Sequence, residues 1–316
     1  MGDAADRAQE AVDTAGPDDF EFEKEETSED ILPDDERAAA VEEEKEQVIA
    51  ALASPRFFAG IPIAPPTKSE LDIVNTMIYG LPGSGKTHLA GQGASSKHLG
   101  PMLYINAEAG TSTLRKLQLN KNIQIIPDPQ QQGAVTWEQF EAIYDELDRQ
   151  CYNSADLPDF RTVTIDTGTE LQKINMDWVM GRTLAAHPDR DPDVPGLHDW
   201  GASTNRMRKT LRQFRDLPIN FIFLCHETTE RDNKGVMWKR PDLPGKLANQ
   251  VAGLFDQVMY LYTKEGASGD ETKPTEVSRM LLTGALEGYV TKDRSGNLPL
   301  VVVQPNMHDI FELIHK

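Results

Sequence analysis

Short apolar runs alternate along the chain with longer segments in which apolar residues recur every three or four positions. The runs near 75–80, 102–106, 123–126, 161–166, 219–225, 256–262, 279–284 and 288–292 read as strands. The segments near 86–95, 136–150, 168–184 and 199–216 read as helices. Strands that are apolar along most of their length are buried on both faces, as parallel strands are. The pattern therefore predicts an α/β fold, a mostly parallel sheet covered by helices on both faces, finished by a C-terminal β-hairpin around Gly284 to Gly288. Pro62, Pro65 and Pro66 exclude a helix from the approach to this core and favour an extended edge segment. No internal repeat is visible.

Charge divides the chain where the apolar pattern begins. Residues 1–50 hold 19 of the 51 acidic residues against 4 of the 32 basic ones, so −15 of the net −19 belongs to them. With Phe20 and Phe22 as its only aromatics, this stretch has too little apolar surface to offset its ordering entropy. It predicts an acidic, largely disordered tail over 1–55, with a helix from Asp35 to Leu52, ahead of one domain over 56–316. Two readings of the tail stand side by side. One is solubilisation, and the other is an acidic arm that competes with nucleic acid for the protein's own groove. No basic stretch followed by an apolar run opens the chain, and no apolar stretch is long enough to cross a membrane. Cys151 and Cys225 sit in unrelated contexts and suggest neither a disulfide framework nor zinc, so a reducing cytoplasm is expected. In the insertion from His187 to Trp200, Asp189, Asp191 and Asp193 lack the glycine and glutamate offsets of a Ca²⁺ loop, and that reading is rejected.

Candidate chemistry concentrates at the end of the first core strand. Gly80, Leu81, Pro82, Gly83, Ser84, Gly85, Lys86 and Thr87, followed by His88 at the start of a helix, match the phosphate-binding loop G-x-x-x-x-G-K-[ST]. The glycines let several N–H groups turn toward one anion. Lys86 would reach the β- and γ-phosphates of ATP, and the Thr87 hydroxyl would bind Mg²⁺. The strand at 161–166 ends in Asp166, the kind of carboxylate that holds the metal, although strands also end in Asp at plain turns. The strand at 102–106 leads to Glu108, placed to activate a water, and the strand at 219–225 leads to His226, placed to sense the γ-phosphate.

This order of loop, Glu108, Asp166 and His226 resembles the RecA-like P-loop ATPase core over about residues 70–305. Lys292-Asp293-Arg294-Ser295-Gly296 is similar to the K-x-R-x-G element of the RadA and DnaB branches, which implies that Lys292 and Arg294 enter a neighbouring subunit's ATP site. Pro244-Gly245-Lys246 with Phe255-Asp256-Gln257-Val258 looks most like the phage-encoded RecA-like annealing proteins and the related AAA-type NTP-binding proteins. His226 stands where RecA carries glutamine, and the extra N-terminal domains of RecA and DnaB are replaced by the acidic tail.

The resemblance implies a Mg²⁺-dependent ATPase that self-associates into a ring or filament, binds single-stranded DNA and meets a single-strand-binding or other replication protein. Its DNA would meet the segment after the fourth strand, where Arg231, Lys234, Trp238, Lys239, Arg240 and Lys246 offer cations for phosphates and a ring for base stacking. The preceding helix adds Arg208, Arg212 and Arg215 on one face. Recombination or annealing is the leading expectation. A helicase-like, loader or packaging motor, and a nucleotide-dependent scaffold without nucleic-acid activity, stand as alternatives.

Overall fold

The computed structural model describes residues 56–59, 61–63, 73–108, 110, 112–115, 117, 122–153, 159–245, 247–265 and 277–316. The acidic tail, its expected helix and Lys246 lie outside the described residues. Two compact units divide the chain at Lys68 and Ser69. The first contains a small antiparallel pair, β1 (Arg56–Phe58) with β2 (Ile61–Ile63), in the stretch where the prolines favoured extended chain.

The second unit carries a sheet of ten strands. Its central parallel strands are β3 (Asn75–Gly80), β4 (Met102–Asn106), β5 (Ile123–Ile126), β6 (Thr162–Asp166), β7 (Asn220–Arg231) and β9 (Gln257–Glu265). The antiparallel additions are β8 (Met237–Pro241) on β7, β10 (Val277–Leu282) and β11 (Lys292–Asp293) on β9, and β12 (Val301–Val303) on β10. Across the sheet the order is β12-β10-β9-β3-β7-β6-β4-β5. The helices are α1 (Lys86–Gln92), α2 (Ser112–Arg115), α3 (Trp137–Asn153), α4 (Gly168–Ala186), α5 (Leu197–Asp216), α6 (Leu247–Ala252) and α7 (Met307–Ile314).

Strand parity sorts the core into two layers. Met77, Tyr79, Phe221, Phe223, Val258 and Tyr260 point to one face and pack against α3, α4, α5 and α6. Their neighbours Ile78, Ile222, Leu224, Met259 and Leu261 point to the other and pack against α1 and α7. The first layer is dominated by rings, with Phe214 stacked on Phe140 at 5.1 Å and Phe223 on Phe255 at 5.7 Å between centroids. Both faces of the central strands are thus dry, which is why these strands read as continuous apolar runs.

The elements depart from the sequence expectation in three places. The strand at 219–225 continues to Arg231, because Asp232 accepts from the N–H groups of Lys234 and Val236 and Gly235 takes φ 87°, turning the chain back into β8. What reads as an open loop after His226 is therefore an antiparallel arm, with Glu227 opposite Pro241 and Arg231 opposite Met237. The C-terminal antiparallel pairings join β10 to β9 and β12, and β11 to β9, and none runs across Gly284 to Gly288. There the Tyr289 N–H donates to Leu286 O and the Thr291 hydroxyl to Gly284 O, closing a turn. Strand β12 and helix α7 complete the second layer, with Asn306 capping α7 through the His308 N–H. The insertion before α5 is tied down by Asp199, which accepts from Thr183, Arg190 and the Gly196 N–H.

Candidate active site

Parallel strands gather their carboxyl ends at one edge, and β3, β4, β6 and β7 deliver the four expected groups there. Gly80 ends β3 where no side chain fits, since a Cβ would stand 2.1 Å from Leu261 O. Gly83 and Gly85 take φ 80° and 104°, which only glycine adopts freely. Leu81, Pro82 and Gly83 are exposed, Ser84 is buried, and Thr87 and His88 are half-buried. Lys86 is buried at 5% exposure, and its ammonium donates to Gly80 O at 2.9 Å and Leu81 O at 3.0 Å. Burial lowers its pKa, while Asp166 and Glu108 pull it back up.

Asp166 is the hub. Its Oδ2 accepts from the Thr87 hydroxyl at 2.7 Å and from the Tyr104 hydroxyl at 2.5 Å. Burial raises its pKa, against the two hydroxyls, which lower it. Its Oδ1 is buried with no protein partner, as is the Ser84 Oγ. An unpartnered carboxylate oxygen beside Thr87 and a loop of amides is a donor set that fits a hard divalent cation and a polyphosphate. Tyr104 is the residue that sequence reading missed. It lies on β4 next to β6, a neighbour relation set by strand order and carried by no local motif.

Glu108 and His226 face each other, Oε1 to Nε2 at 3.5 Å. The imidazole beside it holds the Glu108 carboxyl below its usual range. The main chain fixes both. The Ala107 and Glu108 N–H groups donate to Asp166 O, and the His226 N–H donates to the Thr169 hydroxyl, which in turn donates to Asp242 O. Four strand ends and the start of α4 are thereby linked.

Lys292 and Arg294 lie elsewhere. β11 pairs with Gln257 and Val258, at the amino end of β9 and so at the edge opposite the loop. The Lys292 ammonium reaches Ala252 O at 3.5 Å, and Arg294, largely exposed, pairs with Asp256 at 2.7 Å. Neither is brought to this chain's own loop.

The β7–β8 arm carries Arg231, Lys234, Trp238, Lys239 and Arg240, and two of these four cations, Lys239 and Arg240, are paired with acids. Lys239 pairs with Glu227 at 2.9 Å and also donates to the Tyr260 hydroxyl, Arg240 pairs with Glu230, and Trp238 Nε1 donates to Asp232. Acidic residues in the same arm therefore offset Lys239 and Arg240, half of the positive charge that its described residues offer to DNA. Between this arm and the loop lies a cleft of about 370 Å³ walled by Tyr260, Tyr262 and Tyr289. Among the described residues no group of His, Cys, Asp and Glu side chains could hold a metal without other donors, and no helix is long and apolar enough to cross a membrane.

A family model described as an AAA domain matches residues 74–295. A comparison with proteins of curated function finds no match. Among solved structures, the chain is similar to the RadB recombinase at 16% identity, over 73% of this chain and 86% of that one, with a TM-score of 0.35. It is similar to the flagellar accessory protein FlaH from Methanocaldococcus jannaschii at 12% identity, over 77% and 95%, with a TM-score of 0.34. A DnaB-like replicative helicase, solved with reference to its interactions with primase, aligns at 17% identity over 95% and 68%, with a TM-score of 0.40. At such identities and TM-scores none of the three assigns a function to this chain.

Proposed function

The chain belongs to the AAA domain family, and from that premise we propose that it is a Mg²⁺-dependent ATPase that works as an oligomer in a motor or assembly step on nucleic acid. The observation that carries this reading is the convergence of Lys86, Thr87, Asp166 and the Glu108–His226 pair at one sheet edge. Lys86 and the loop amides hold the phosphates. Thr87 and Asp166 would hold the cation, which would supply neutralisation of phosphate charge. Glu108, facing His226 at the strand ends, orients a water and takes its proton at the carboxylate. Lys292 and Arg294, set at the opposite edge, serve a neighbouring copy's site.

A second reading, single-strand annealing or recombination, draws on the arm that grows directly out of the strand bearing His226, which carries Trp238 with Arg231, Lys234, Lys239 and Arg240. The internal pairing of Lys239 and Arg240 weighs against the free phosphate-tracking groove such an activity needs, and supports the motor or assembly reading ahead of it. One experiment tests both: ATPase rate with and without single-stranded DNA, read beside particle size by light scattering. Hydrolysis per subunit that rises with assembly is expected. Hydrolysis by a protein that stays monomeric sinks the oligomeric reading, and an absence of hydrolysis under all conditions sinks the ATPase.

A further inference from the structure

Arg279 stands outside the cluster of Lys86, Thr87, Asp166, Glu108 and His226. It sits on β10 opposite Thr263, with its side chain in solvent. Yet it leans on the phosphate loop. A Cβ placed on Gly85 would lie 2.8 Å from Arg279 Nε and 3.3 Å from its Cδ, so the arm of this arginine occupies the space that the missing side chain of Gly85 leaves open. The His88 imidazole feels it too: burial first, and then the Arg279 guanidinium, depress its proton affinity. Among the described residues no carboxylate pairs with Arg279 and nothing accepts from its side chain.

A permanent cation held against a loop built to bind anions, with no counter-charge of its own, gains a partner only when a polyphosphate arrives. Strand order says which part of it. From β3, the strands β7, β6 and β4 lead to Glu108 on one side, while β9 and β10 lead to Arg279 on the other. The phosphate to be cleaved faces Glu108. Arg279 therefore stands at the far end of the chain of phosphates.

We propose that Arg279 is a nucleotide-binding residue that grips the phosphate next to the ribose, and so holds nucleoside di- and triphosphates alike. This rests on the ATPase reading above. It also gives Gly85 a second reason to be glycine: any side chain there would displace the arginine as well as strain the backbone.

Calorimetric titration of the full chain with ADP and with ATP tests the assignment, using Arg279→Ala and Arg279→Lys. The alanine variant is expected to bind both nucleotides about tenfold more weakly, by nearly the same factor, and the lysine variant to retain much of the affinity. The melting temperature of the nucleotide-free variants should match the parent, because the side chain is exposed and unpaired. Three results overturn the proposal: ADP affinity of Arg279→Ala within about twofold of the parent; a loss confined to ATP; or a loss that tracks a fall in nucleotide-free stability and is not recovered by lysine. If the parent itself binds no ADP, the ATPase reading falls, and this result is separate from the three because it is seen before any substitution is made.

Discussion

Replacing Tyr104 by phenylalanine removes one oxygen from the centre of the site. That hydroxyl donates to Asp166 Oδ2 at 2.5 Å, and both residues are buried, Tyr104 at 1% and Asp166 at 4% exposure. A hydrogen bond to a charged acceptor contributes about 1.5–3 kcal/mol, and here the acceptor keeps only the Thr87 hydroxyl once the phenol is gone. For a unit of this size each kcal/mol moves the melting temperature by about 2–4 °C, so Tyr104→Phe should melt roughly 3–12 °C lower. A second effect separates positioning from mere stability. Tyr104 and Thr87 together pin Oδ2 and leave Oδ1 as the open oxygen. With one restraint lost, the carboxylate turns more freely and the Mg²⁺ concentration giving half-maximal binding of a fluorescent ATP analogue should rise by about 10- to 100-fold. Nucleotide affinity without Mg²⁺ should stay as it was. A variant that melts lower but keeps the parent's Mg²⁺ midpoint would falsify the positioning role and leave Tyr104 as packing.

Asp166→Asn yields a pH signature. Burial raises the Asp166 pKa in the folded chain, so its stabilising contribution is present below the unfolded value, near about pH 4, and is lost as pH rises through the folded value. The nucleotide-free asparagine variant should therefore melt above the parent at pH 8 and level with it at pH 4; a variant that melts below the parent at pH 8 contradicts the burial argument. Glu108→Gln should keep nucleotide binding and lower hydrolysis by about 10²- to 10⁴-fold, and an unchanged turnover rate would remove Glu108 as the base. Arg294→Ala mixed with Lys86→Ala should hydrolyse ATP better than either alone, because each supplies what the other's site lacks; additive rates would argue that sites do not share residues. Lys239→Ala with Arg240→Ala should flatten the salt dependence of single-strand binding by clearly less than the log–log slope of about 1.4 that two free cations contribute, since Glu227 and Glu230 already pair with them. Anisotropy titrations over a salt series check this, and a full-size change would show the pairs opening for DNA.

The legible and illegible parts of this site differ in how their residues are related. Gly80 to Thr87 are consecutive, and their job is done by one turn of backbone, so the spacing alone reveals them. Asp166, Glu108 and His226 each end or follow an apolar run, and a parallel sheet sends all such ends to one edge, so they follow from the strand pattern once a sheet is inferred. Tyr104 and Arg279 follow from neither. Tyr104 matters because β4 happens to lie beside β6, and Arg279 because β10 is folded back beside β9, two strands from the loop. The same distinction explains the arm. Its basic residues were visible in the sequence, whereas Glu227 and Glu230 become their partners only when the Asp232 to Gly235 turn sets Lys239 opposite Thr229 and Arg240 opposite Thr228. Cation counts along a segment therefore overstated its attraction for phosphates, because an antiparallel register places acids and bases within reach of one another. Where a function depends on charge left unpaired, pairing across strands decides it. By that criterion Arg279, which has no such partner among the described residues, is a stronger anion-binding candidate than Lys239 or Arg240.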